Sequence, residues 1–513
     1  MAWSQSFKSQ LDKPSKSIEY LLRFFSSSLN YNGSGQIFGL LGEVKLANAE
    51  VTIDNSRVTP SRWSLNFGGF TIKMNGDLRE YNSVFKKGQI AELWMIRNGT
   101  PERVTIGQLR AISGGRGVWN IEFADLISTM DSRLSLIAGQ EEFFYNAGKE
   151  TTVTATYNFS SDPNLYVADI TIFEKEDGKD GLVHVYRASH STDFYYSWSS
   201  KTATSGTAGY LTISNNGIYP KGTNNHLNSG DRVVSCTWLQ GRIDEIFAKM
   251  LMSTGTAGTT GIYDKYPKSW ALGYAFASSL IDKTDLNLFY GTWKATASIH
   301  HNVSLIIEEA SNARTVINSA LNMGLFPVFR QGKISFRGSV NMDTYRPLTL
   351  AGRVSDLDIH SIDSHQFYSP NQPVYYSRSR MKYYESSTGS INQFSKNRTL
   401  SRYMPSARDI TRDNSLIYAE LNQEEMATKD LNRLFLWDCY PYEELVITVS
   451  EKFAILCAGD VIELTSNYIY GIHELSGERY NRKKCFVMGV RWLPHQSKCI
   501  LSLAVISRGT ARS

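Results

Sequence analysis

Gly88-Gln-Ile-Ala-Glu-Leu93, a polar tip at Asn98-Gly99, Val104-Thr-Ile-Gly107-Gln-Leu-Arg-Ala-Ile112, a Gly114-Gly115 turn and Val118-Trp-Asn-Ile-Glu-Phe123 make up one stretch whose pattern returns near the C-terminus. The second copy reads Gly459-Asp-Val-Ile-Glu-Leu464, then Cys485-Phe-Val-Met-Gly489-Val-Arg-Trp492, a turn at Pro494-His495, and Cys499-Ile-Leu-Ser-Leu-Ala-Val-Ile506. Each copy is three strands joined by turns. A glycine opens the first strand and another stands inside the second. The copies differ in length at the hairpin tip, where insertions are tolerated. The pattern reads either as one β-module used twice or as two generic β-meanders, and the shared glycines favour duplication.

Upstream of the first copy, short strands are predicted at Ile18–Phe24, Gln36–Leu41, Glu50–Asp54, Trp63–Phe67 and Phe70–Met74, separated by Asn32-Gly33, Gly42 and Asn75-Gly76. With the quoted stretch they suffice for a closed barrel or a sandwich, spanning 17–137. Residues 1–16 are polar and read as a flexible N-terminal arm. Residues 138–235 are rich in Ser, Thr, Asn, Gly and Tyr and read as an inserted β-rich domain. Its Tyr195, Tyr196 and Trp198 would either stack on a sugar or a neighbouring subunit, or serve ordinary sheet packing.

From Thr237 the apolar period changes from two to 3.6. Leu239, Ile243, Ile246, Phe247, Met250 and Leu251 share one helical face, with Gly255 as the stop. The Gly255–Gly261 loop lacks the Gly-Lys-Ser/Thr of a phosphate loop and follows a helix rather than preceding one. After Tyr266–Tyr274, a second helix uses Ala310, Ala313, Val316, Ile317, Ala320 and Leu321. A hairpin turning at Gln331-Gly332 completes an α/β domain over 236–344. Residues 345–513 return to strands, with a polar loop at 386–414 and a helix through Met426, Leu431, Leu434, Phe435 and Trp437. The fold class is therefore mainly β with a smaller α/β part.

Composition excludes several functions. A hydrophobic share of 42% against 20% charged describes a soluble globular chain, and no run approaches the roughly 18 apolar residues of a membrane helix. The N-terminus has no signal-peptide core, so the chain is expected to be made and kept in a cytoplasm until it joins an assembly, without stable membrane insertion. A net charge of +5 with no Lys/Arg cluster gives no nucleic-acid signature. The five cysteines are odd in number and form no CxxC pair, which argues against a disulfide framework. Each reads as a buried thiol, with a metal or cluster shared by Cys457, Cys485 and Cys499 as the alternative.

No catalytic pattern emerges. His300-His301 is not HExxH, and Glu308-Glu309 and Glu424-Glu425 stand at helix starts, where the helix dipole favours negative charge. Asp363 and His365 fall on a predicted loop with no signature. No catalytic, cofactor-binding or metal site is assigned, and the chain is expected not to be an enzyme.

The Gly459–Leu464 and Cys485–Val490 strands, the helix Thr237–Met252 with Gly255, the stretch ending Trp270-Ala-Leu-Gly273 and the helix–hairpin Ala310–Arg337 resemble phage tail baseplate hub proteins, in particular the tail tip hubs of long-tailed phages and gene transfer agents. The likeness covers most of Ile18 to Ile506 and least of the 138–235 insertion. It implies two tube-like β-barrels from one chain, and a homotrimer whose ring has pseudo-six-fold symmetry. It implies a place in the virion at the distal end of the tail, next to a distal tail or tail tube protein and to tip or fibre proteins. The ring would enclose the channel for tape measure protein and for DNA in passage. Three chains with two similar barrels each would match a hexameric ring to three-fold components. The competing readings are a carbohydrate- or receptor-binding adhesin, resting on Trp198 and its neighbours, and a cell-wall hydrolase, which has no motif in its favour.

Overall fold

The computed structural model describes residues 3–11, 13, 17–25, 30–31, 36–37, 40–46, 49–60, 64–76, 85, 87–131, 147–175, 178–187, 194–219, 226–252, 278–286, 302–309, 314–322, 324–338, 350–367, 376, 378–385, 390–397, 409–413, 417–419, 423–439, 442–471 and 479–506. Ten strands define the architecture. Five come from the first part of the chain: β1 (Glu50–Asp54), β2 (Gly69–Asn75), β3 (Ile90–Arg97), β4 (Thr100–Gly115) and β5 (Val118–Asp125). Five come from the last: β6 (Ile359–Gln366), β7 (Tyr442–Ser450), β8 (Val461–Thr465), β9 (Lys483–Leu493) and β10 (Lys498–Ile506).

Both sets pair in the same spatial order, β1-β2-β5-β4-β3 and β6-β7-β10-β9-β8, and every pair is antiparallel. The two sets also share a register across the strands. One rung runs Asp54, Gly69, Ala124, Gln108, Ile90; its counterpart runs Gln366, Glu444, Ala504, Phe486, Val461. β4 bulges between Leu109 and Ala111 against β5, and β9 bulges between Val487 and Gly489 against β10. A bulge adds one unpaired residue and bends the strand, so its recurrence at one rung fixes the same bend in both sets.

The glycine that opens each copy has one job. Gly88 and Gly459 adopt φ of +85° and +91°, a region that side chains with a Cβ avoid. Gly88 N–H donates to Leu109 O (2.9 Å), and Leu109 N–H donates back to Gln89 O (2.7 Å). Gly459 N–H donates to Val487 O and Val487 N–H to Asp460 O, both at 2.8 Å. The inner glycines do not correspond: Gly107 occupies the rung of Cys485, while Gly489 occupies that of Ala111. Gly107 makes room first for the Ala124 carbonyl oxygen and then for the Phe70 ring, and Gly489 for the Arg57 side chain.

The two sets lie in one 13-stranded sheet, joined where β1 pairs with β9. The strands Ile18–Phe25 and Leu40–Leu46 extend it beyond β3, and Gly352–Ser355 adds in parallel to β8. Among the described residues no sheet closes on itself. One apolar core, with Val51, Ile53, Phe70, Phe123, Leu445, Val487 and Leu503, lies under both sets. The opposite face, with Ile90, Ile106, Phe486 and Met488, packs on the helices Ile243–Met252 and Gln423–Cys439 and the hairpin Leu325–Gly338. Burial on both faces keeps the central strands apolar on both sides.

Several sequence expectations change. Residues 3–11 of the arm are folded: the helix Gln5–Gln10 is capped by Ser4, and Trp3, Phe7 and Leu11, spaced one helical turn apart, are buried in the shared core. Leu239 lies in the strand Arg232–Arg242, opposite Leu305, and the helix begins only at Ile243. That strand crosses position 235–236 and ties the inserted sheet to Asn302–Ile307. Segment 386–414 holds the strands Ser390–Asn397 and Asp409–Asp413, both paired with Arg378–Glu385. Asp363 and His365 sit on β6, a strand and not a loop. The second helix is Arg314–Asn322; Ala310 and Ala313, like Gly255–Gly261, Tyr266–Tyr274 and His300-His301, lie outside the described residues. The hairpin turning at Gln331-Gly332 forms as expected, with both residues at positive φ.

Candidate functional site

The feature that organises the molecule is the joint between the two five-stranded sets. Asp54 faces Arg491 and Ile53 faces Trp492 across β1 and β9, and Asn55 N–H donates to Val490 O at 2.9 Å. β9 has room for this partner because β8 covers only its first half, up to Phe486. Arg491 and Asp54 form an ion pair at 2.5 Å, and a ring nitrogen of His495 meets Val51 O at 2.9 Å. The ion pair is half-exposed and contributes little; the backbone pairing and the apolar burial hold the joint.

A buried charge pair backs it. Arg97, at the end of β3, is ion-paired to Glu451, which follows β7; their side chains are 1% and 2% exposed. Trp492 Nε1–H donates to Glu451 at 3.0 Å, and Arg97 donates to Lys13 O at 3.0 Å. Trp3 packs on the Trp492 ring with centroids 5.2 Å apart. The N-terminal segment, the first set and the last set thus meet at one point. Burial raises the Glu451 pKa, and Arg97 opposes that shift. Removing either partner would leave the other buried and unpaired.

A second polar cluster lies beneath β8. Arg337 donates to both carboxylate oxygens of Asp285 (2.6 and 3.0 Å), Arg330 donates to Asp285 at 2.6 Å, and Asp460 lies 3.4 Å from Arg337. Burial acts to raise the Asp285 pKa, but the two guanidiniums outweigh it and hold it at about 2. Cys457 N–H donates to Asp460, and burial pushes the Cys457 thiol up to about 12. A neutral thiol beside fully paired charges has no nucleophilic character. The cluster clamps the hairpin Leu325–Gly338 to the opening of β8.

The candidate residues named from the sequence are dispersed. All five cysteines are free and buried. Cys485 and Cys499 share a core but lie about 20 Å apart along the strands, because Cys485 stands level with Val505, six residues from Cys499. Cys457 belongs to the other core. The three cannot ligate one metal, and among the described residues no group of His, Cys, Asp and Glu is arranged to hold one. Tyr196 and Trp198 are buried, with the Trp198 ring lying where a Cβ on Gly181 would be. They pack the inserted sheet, so the carbohydrate reading loses its aromatic platform. Tyr195 donates to Glu308 and stacks on His184. Glu424 and Glu425 open the helix Gln423–Cys439. His365 meets Glu443 at 2.9 Å, and Glu443 also accepts from Tyr480. Among the described residues no helix is long and apolar enough to cross a membrane.

No family model matches the chain, and no curated protein matches it in sequence. Solved structures with a similar course of chain include a tail protein from Neisseria meningitidis (10% identity, 96% of this chain and 97% of that one, TM-score 0.40). They also include a 43 kDa tail protein of prophage MuSo2 from Shewanella oneidensis (10% identity, 95% and 98%, TM-score 0.38). A third is the prophage tail protein gp18 from Listeria monocytogenes (8% identity, 96% and 95%, TM-score 0.38).

Proposed function

We propose that this chain is a structural, non-enzymatic hub of a phage tail tip. Three copies form a ring that joins a hexameric tail tube or distal tail protein to three-fold tip or fibre components. The ring surrounds the passage for tape measure protein and DNA. Each copy contributes two tube-like β-modules, centred on 17–137 and 345–513; the insertion 138–235 and the α/β part 236–344 lie between them. The observation that carries the reading is the repeat itself: one strand order, one bulge and one opening glycine, used twice and joined head to tail. A chain with two like modules in head-to-tail order is half-way to a pseudo-symmetric ring, because the same contact repeated between chains closes one. The resemblance of the Gly459–Val490 strands to hub proteins gives the ring its place in the virion.

The test is the mass of the purified chain in solution and its co-assembly with a tail tube or distal tail protein. A trimer that caps tube rings is expected. A chain that stays monomeric at high concentration and ignores tube protein overturns the proposal.

A further inference from the structure

Within one chain the edge of β9 beyond its bulge is covered by β1. Among the described residues the corresponding edge of β4 has no such cover. β3 leaves β4 at Gln108, and residues 111–118 are all exposed, although their counterparts Val490 and Trp492 are only 3% and 2% exposed. Ile112, the counterpart of Val490, is 38% exposed. At the other end, β6 is the counterpart of β1 and the terminal strand of the sheet path, pairing only with β7 among the described residues. Its edge carries Ile362, 42% exposed, where the counterpart Val51 on β1 is fully buried, and leads to Phe367 (37%). Among the described residues, therefore, each end of the sheet presents one half of the internal joint without a strand partner. Long exposed strand edges with apolar side chains pair readily with another chain.

We infer that β6 of one copy adds to the free edge of β4 of the next, in the register of the internal β1–β9 joint. This rests on the ring proposed above and names the contact that closes it. The rung correspondence fixes the partners. Asp54 matches Gln366 and Arg491 matches Ser113, so Gln366 faces Ser113 of the neighbouring copy. His365 faces Gly114, as Ile53 faces Trp492, and Phe367 N–H donates to Ile112 O, as Asn55 N–H donates to Val490 O. The two bulges of β6, between Ile359 and Ser361 and between Ile362 and Ser364, precede this stretch and leave 364–367 regular. Ile112 and Ile362 become the apolar cover that Val490 and Val51 provide within the chain. The contact is heterologous, so it propagates in one direction and closes only as a ring.

Ser113 and Gln366 form a non-hydrogen-bonded antiparallel pair, the spacing that admits a disulfide. In the full-length chain, the double variant Ser113→Cys/Gln366→Cys is oxidised and run without reductant. The expected result is covalent dimers and trimers, with neither single variant crosslinking and with Ser113→Cys/Ser361→Cys, five residues out of register, staying uncrosslinked. Melting curves of all variants should overlay the unmodified chain. If light scattering shows a trimer but the in-register pair does not crosslink, this contact is wrong while the ring stands. A link confined to single chains, or equal crosslinking of the out-of-register pair, also overturns it. If the chain is monomeric, both readings fail.

Discussion

Replacing the opening glycines tests whether the two copies share a backbone role and differ only in surroundings. Gly88→Ala and Gly459→Ala each force a Cβ into the left-handed region, at φ of +85° and +91°. That costs about 1–2 kcal/mol. At Gly88 the new methyl has space, because its nearest neighbour is the Gln108 amide nitrogen at 3.7 Å. At Gly459 the methyl would stand 2.7 Å from Arg337 Cβ, 3.0 Å from its Cγ and 3.1 Å from the Phe326 ring. Arg337 cannot yield, since Asp285 holds its guanidinium at two points and Asp460 at a third. Forcing a methyl into such a site costs about 1–3 kcal/mol more. Gly88→Ala should therefore lose about 1–2 kcal/mol and Gly459→Ala about 2–5 kcal/mol. The assay is urea unfolding followed by far-ultraviolet circular dichroism and tryptophan fluorescence. Asparagine, which tolerates positive φ better than alanine, should recover part of the loss at position 88. A neutral Gly88→Ala, or equal losses at the two sites, would overturn this assignment of roles.

Arg97→Met strands the Glu451 carboxylate in the core and should cost about 3–5 kcal/mol in urea unfolding; Arg97→Met/Glu451→Gln should recover much of it, and an unaffected single variant would show that the pair is not the anchor of the joint. Burial pushes the Asp125 carboxyl up to about 7 from an ordinary 3.8, against donation from Ser128, Gly68 and Ser56. A raised folded-state pKa means that this contribution is complete below about 3.8 and is lost as pH rises through about 7. The melting temperature should accordingly fall between about pH 4 and 7, and Asp125→Asn should flatten that slope; an unchanged slope counts against it. Asp285, held at about 2, has the opposite sign: its contribution is present above 3.8 and lost as pH falls toward 2, and acid titration of melting in Asp285→Asn should lack that loss. Trp198→Ala should cost about 3–5 kcal/mol by emptying the core of the inserted sheet; altered sugar binding at unchanged stability would revive the adhesin reading.

The repeat was legible because its opening glycine answers a backbone demand that only glycine meets cheaply. The inner glycines misled because each answers a local neighbour, the Ala124 carbonyl and Phe70 ring at Gly107 and Arg57 at Gly489, and such neighbours are set by how the strands pair and pack. Leu239 mimicked a helical position because an inward strand residue fell into phase with the helix that follows. Trp3, Phe7 and Leu11 did announce a helical stripe, hidden by the polar residues around them. Strand β6 read as a loop because, as an exposed edge, it lacks the alternation that marks half-buried strands. The joint could not be read at all. It is built from backbone edges and from Arg97 and Glu451, which stand 354 residues apart in the sequence.

The number of modules in the assembly decides whether this chain builds a ring. Electron-microscopic averaging of the purified assembly, with no symmetry imposed, counts them directly. The prediction is six like β-modules around an open channel, alternating in two kinds, with β6 of each chain laid along β4 of the next. Separate chains, or a closed assembly whose module count is not six, would be incompatible with the ring.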